Sequence, residues 1–150
     1  MDLSKLKESI KQNEGLELKP YLCPNQKLTI GYGRNLENGI SEREAEILLE
    51  NDLLNLKLEL EDKLPIFKKL NNVRRNVILE MAFQLGVPNL LNFKKTIQHL
   101  INEEFEKASE EMLNSKWHRE LIEYDMLDGK KSNKPLRSEY LSNLMKKGEF

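Results

Sequence analysis

Apolar residues at Leu3, Leu6 and Ile10 are spaced for one face of a short helix, and Asn13-Glu14-Gly15 follows at once with turn and C-cap chemistry. Glu14 is therefore expected at a helix end, entering a loop. From Leu18 to Arg34 the helical period disappears. Pro20, Pro24 and Asn25 punctuate this stretch, and "KLTIGYG" combines β-forming residues with glycines at alternate positions. That pattern predicts a small antiparallel sheet with a tight turn near Pro24 to Lys27. Ser41-Glu42-Arg43-Glu44 fits the capping box, in which a serine and a glutamate three residues on satisfy each other's backbone donors. Apolar residues then recur at 45, 49, 53, 56, 60 and 64, with a second set at Ile47, Leu54 and Leu58, and no proline or glycine intervenes before Pro65. The spacing predicts one long helix over about 41–64, apolar on more than one side, as a helix between two bodies would be.

Beyond Pro65 shorter helices are expected over Val73 to Gln84, Phe93 to Ile101, Glu103 to Asn114, a piece around Trp117, and Arg137 to Lys146, with "QLGVPN" and "DGKKSNKP" as loops. The predicted class is α+β and mainly helical. It comprises a small N-terminal lobe with a short antiparallel sheet over about 12–40, the connecting helix, and a helical lobe over about 65–150, with a cleft between lobes as the default site.

Composition narrows the function. Apolar residues make up 39% and charged residues 33% of the 150, with few glycines and prolines, which fits a helical globular protein with a charged exterior. The single cysteine, Cys23, cannot form an internal disulfide, so folding in a cytosol is expected. The first fifteen residues hold no uninterrupted apolar run, so neither a secretory signal nor a membrane span is expected. The first 64 residues are net acidic and the remainder net basic. No concentrated basic run suits nucleic acid, whereas the basic half could suit an anionic polymer.

Glu14, eight intervening residues, Cys23, five intervening residues and Thr29 together resemble the catalytic pattern of phage-type lysozymes, the muramidase family of the T-even phage endolysin. In that family the middle position is Asp or Cys. "NEGLELKPY", "LTIGYGRNL", "ISEREAE", "VRRNVILEMAFQLG" and "SKWHRE" extend the resemblance over roughly residues 3–120. It implies a single lysozyme-like domain whose first helix joins the helical lobe, and hydrolysis of the β-1,4 bond between N-acetylmuramic acid and N-acetylglucosamine in peptidoglycan. Glu14 would be the general acid. Thr29 would hold the attacking water, and Cys23 would supply the second catalytic group. Gln84, Arg34 and Arg137 are the expected substrate contacts. Arg34 stands where relatives often carry histidine, and Arg137 lies in "KPLR", which resembles the family's Pro-x-Arg element after a longer insertion over 118–134. No cofactor is implied. The protein would act as a monomer that waits in the bacterial host cytoplasm, leaves through a holin-made opening, and cuts the wall in the periplasm without inserting stably in a membrane.

Several residues have plainer readings. Trp117 is expected in the core. His99 and His118 lie far from any cluster with metal-ligand spacing, so no metal site is expected. Glu103-Glu104 and Glu110-Glu111 read as solvated helix faces. Gly31 and Gly33 suit close backbone packing better than a phosphate loop. For Cys23, a nearby Glu14 carboxylate would push the thiol pKa up. Two other functions compete: a non-catalytic cell-wall binding or phage tail module, and a lytic transglycosylase, neither of which needs Cys23 or Thr29.

Overall fold

The computed structural model describes residues 3–128 and 135–150. The chain forms two compact units, residues 1–49 and 50–150. The first opens with α1 (Leu3–Glu14) and continues into three antiparallel strands in sequential order, β1 (Glu17–Leu22), β2 (Leu28–Gly31) and β3 (Arg34–Asn35). Gly15 ends α1: at φ +72° it takes the left-handed conformation and returns its N–H to the Lys11 carbonyl at 3.1 Å. A residue with a Cβ would resist that turn.

The β1–β2 loop runs through Pro24, Asn25 and Gln26. Pro24 pre-sets the first turn position, the Gln26 N–H closes the turn on the Cys23 carbonyl at 2.8 Å, and Gln26 itself is left-handed at φ +59°. This is the three-residue hairpin loop in which a turn is followed by one left-handed residue. Pairing joins Tyr21 to Thr29 and Leu22 to Leu28, then shifts register before Glu17 pairs with Gly31. Pro20 lies within the shifted stretch and has no N–H to give to a ladder. Thr29 also pairs with Asn35 on β3, so it sits mid-sheet, and it is the one buried residue among 3–49.

The long helix α2 (Glu42–Lys63) is continuous over 22 residues, as expected. Its start is the predicted capping box: the Ser41 N–H donates to Glu44 Oε2 at 2.8 Å, and the Glu44 N–H reaches Ser41 Oγ at 3.3 Å. A 3-10 turn over Pro65–Lys69 follows, then α3 (Asn72–Leu85), α4 (Val87–Leu90), α5 (Lys94–Ile101), α6 (Phe105–Leu113), α7 (Lys116–Asp128) and α8 (Arg137–Lys147). The second unit holds the apolar core, with Leu60, Phe67, Val77, Ile78, Met81, Leu100, Met112, Leu141 and Met145 all fully covered. Arg74 ties α3 to the end of α8 by donating from Nε to the Met145 carbonyl at 2.8 Å, with its guanidinium stacked on the Phe105 ring.

Two expectations need correction. "QLGVPN" holds one helical turn, α4, because Pro88 is tolerated in a helix's first turn, where its missing N–H would be unpaired anyway. The piece around Trp117 is a 13-residue helix that carries the start of the 118–134 insertion, with Leu121 packed against the core. The rest of that insertion, 129–134, lies outside the described residues. Among the described residues no helix is long and apolar enough to cross a membrane.

Candidate active site

Glu14 is the last residue of α1 and is exposed. Its carboxylate lies directly against the loop between β2 and β3: a Cβ built on Gly33 would sit 2.7 Å from Glu14 Oε2. Gly33 is also left-handed at φ +74°. Glycine is required there twice over, by its backbone conformation and by the carboxylate seated on it, which makes close packing the role of this glycine. Tyr32 in the same loop lies under Lys11 Nζ, 5.8 Å from the ring centroid, so α1 meets the loop at Tyr32 as well as at Gly33.

Cys23, half-buried, begins the β1–β2 loop, and its N–H donates to the Lys27 carbonyl at 3.0 Å. The Lys27 N–H beside the sulfur holds the thiol below its usual pKa; desolvation opposes this, and the Asn25 N–H and the Thr29 hydroxyl add to it. The expectation of a raised pKa is thus corrected. Backbone dipoles and a hydroxyl, rather than the Glu14 carboxylate, dominate the sulfur's surroundings, and donors aimed at a thiolate stabilise the charged form. Thr29 Oγ1 donates to the Lys27 carbonyl at 2.9 Å. Lys27 therefore organises both candidate groups through its backbone, while its ammonium pairs with Glu37 at 2.8 Å. Sequence reading gave Lys27 no part, since nothing local distinguishes a residue that acts through its peptide groups.

Arg34, on β3, spends its fork on Glu44, with both Nη groups 3.1 Å from the two carboxylate oxygens, and so braces the start of α2. In the second unit Gln84 accepts from Trp117 Nε1 at 3.0 Å. Trp117 is buried, edge-on to Phe93, as expected of a core residue. Arg137 donates from Nε to Glu80 Oε1 at 2.7 Å. Glu80 was missed in the sequence, although it stands one helical turn before Gln84 on the same face of α3. A cavity of about 590 Å3 in this unit is lined by Phe93, Thr96, Asn114, Ser115 and Trp117 with Lys94, Lys95 and Lys116. Among the described residues no His, Cys, Asp or Glu cluster could hold a metal ion.

A small sheet with a carboxylate at the end of the preceding helix, a thiol in its first hairpin loop and a hydroxyl on its central strand, followed by a long helix and a helical unit with its own core, defines a lysozyme-like α+β protein. The chain belongs to the phage lysozyme family, whose model matches residues 11–133. It is similar to probable T4-type lysozyme 1 of Dictyostelium discoideum, at 28% identity over 149 residues, covering 79% of this chain and 87% of the relative. Probable T4-type lysozyme 2 of the same organism is 27% identical over 146 residues, 77% of this chain and 86% of the relative. The pre-baseplate central spike protein of Enterobacteria phage T4 is 23% identical over 142 residues, which is 75% of this chain and 25% of that protein.

Proposed function

We propose that the protein hydrolyses the β-1,4 bond between N-acetylmuramic acid and N-acetylglucosamine in peptidoglycan. In this reading Glu14 gives its proton to the leaving glycosidic oxygen as the bond to the anomeric carbon breaks. A water held by the Thr29 hydroxyl adds to that carbon and releases a proton to the Cys23 sulfur, whose lowered pKa makes the thiolate more available as acceptor. Solvent then takes the proton from the Cys23 thiol and returns one to Glu14, which restores both groups. Gln84, Arg34 and Arg137 would contact the polymer, Arg34 through the face not turned to Glu44. The working protein would be a monomer that leaves the host cytoplasm through a holin-made opening.

The observation that carries the reading is the grouping of Glu14, Cys23 and Thr29 in one compact unit of a phage-lysozyme-family chain, with Glu14 seated on Gly33 and the sulfur beside Thr29. A second reading, a non-catalytic wall-binding or tail module, draws on the similarity to a phage spike protein.

Mass spectrometry of muropeptides released from purified sacculi separates the readings. Reducing muramic ends are expected; anhydro ends would mean a transglycosylase, and no release a binding module. Glu14→Gln should keep its thermal unfolding and lose about 10²–10⁴-fold in rate, the usual contribution of a general acid. A variant that still cuts at nearly the parent rate sinks the assignment of Glu14.

A further inference from the structure

Arg137 stands at the first position of α8, and the backbone is pinned on both sides of it. Glu139 takes the Leu136 N–H at 3.1 Å, and the wholly buried Ser138 bonds through Oγ to His118 Nδ1 at 2.7 Å. The guanidinium itself is not fixed by that pinning, because a long, rotamer-rich side chain separates it from the backbone. One contact orders it: Nε donates to Oε1 of Glu80, 57 residues earlier in the chain. The two side chains are 41% and 39% exposed, and ion pairs this open add little to stability. Their geometry is more specific than their energy. Glu80 engages Nε alone, and the Nη groups have no other protein partner among the described residues. One turn further along α3, Trp117 fixes the Gln84 amide through its oxygen, which leaves the Gln84 NH₂ as a donor turned away from the indole.

From this arrangement we infer that Glu80 is a positioning residue, which orders Arg137 so that its Nη pair meets a carboxylate of the peptidoglycan. The inference rests on the proposed reading of Arg137 as a substrate contact. An arginine fork matches a carboxylate with two parallel hydrogen bonds, and a guanidinium already held in place loses less freedom when the carboxylate arrives. Glu80 touches no substrate in this account; it acts through Arg137.

The test uses the Glu14→Gln protein, so that purified sacculi are bound without being cut, and reads the fraction that pellets with them. Glu80→Ala and Glu80→Gln should each lower retention severalfold at unchanged thermal unfolding. Glu80→Ala combined with Arg137→Ala should bind no worse than Arg137→Ala alone. With Glu14 restored, Glu80→Ala should raise KM far more than it lowers kcat. The exchanged pair, Glu80→Arg with Arg137→Glu, re-forms the ion pair but offers the wall a carboxylate, so retention should stay low. Full retention by the exchanged pair would make the contact merely structural and overturn the inference. So would parent-like retention by Glu80→Ala or by Arg137→Ala. If the parent releases muropeptides while these variants bind normally, only the inference fails; if the parent neither binds nor cuts sacculi, the reading beneath it fails as well.

Discussion

Cys23 is where one residue's chemistry departs furthest from what charge counting suggests. A carboxylate nearby would disfavour a thiolate, yet the hairpin loop turns peptide N–H groups toward the sulfur, the Lys27 N–H first, and the thiol pKa falls. An available thiolate is also a reactive one. A thiol-alkylating reagent should therefore modify the native protein, reach its full rate at a lower pH than with free cysteine, and abolish wall cleavage. Cys23→Asp should stay active, since a carboxylate can take the proton that the proposed reading assigns to the sulfur, whereas Cys23→Ala should be much weaker at similar stability. If Cys23→Ala cuts as fast as the parent, and alkylation reaches the sulfur only after unfolding, the cysteine is packing and nothing more.

At the scale of elements, the α5–α6 junction carries the largest resolved charge effect. Glu104 stands at the start of α6, with Oε1 2.6 Å from Lys107 Nζ and Oε2 2.7 Å from His99 Nδ1, after a turn made left-handed by Glu103 at φ +59°. The Lys107 contact first, and the His99 contact second, hold the Glu104 carboxyl at about 2, against an ordinary value of 4.5. A folded-state pKa depressed in this way contributes stability that is fully present above the unfolded value and is lost as pH falls through the folded one. Glu104→Gln should therefore lower the Tm near neutral pH, and its gap to the parent should close as pH falls from 4.5 toward 2. A gap that is constant across that range, or absent near neutrality, refutes the role. Glu104 had read as part of a solvated face because its His99 contact depends on the turn between α5 and α6, although Lys107 lies only three residues on. The Ser41–Glu44 capping box, by contrast, was plain, since both partners lie within four residues, and so was the continuous α2, where nothing breaks the helical period. Glu14, Cys23 and Thr29 were legible as a spacing. Their surroundings were not: Gly33 beneath Glu14 and the Lys27 peptide beside the sulfur depend on loop conformation, and the Glu80–Arg137 contact joins residues on separate helices. The polar text of "HRELIEYDMLD" concealed the extent of α7, which buried Trp117 at its start and Leu121 a turn later hold on the core.

Across the whole molecule, the cover given to apolar side chains is uneven. Among the described residues, every fully covered one falls between Leu60 and Met145, in the second unit, while Thr29 is the one buried residue among 3–49. Buried apolar area is the main stabilising term, at roughly 25 cal/mol per Å². A segment short of it opens locally at a lower free energy than the global unfolding, and sites that must admit a ligand are drawn from such segments. Native-state hydrogen exchange followed by peptide mass spectrometry should accordingly find the amides of α3, α6 and α8 the most protected, opening only with global unfolding. The peptides covering β1 to β3 should exchange by local opening, at a rate that mild denaturant barely changes. If the strands prove as protected as α3 and share its denaturant dependence, the chain unfolds as one cooperative body, and a more mobile home for Glu14, Cys23 and Thr29 is ruled out.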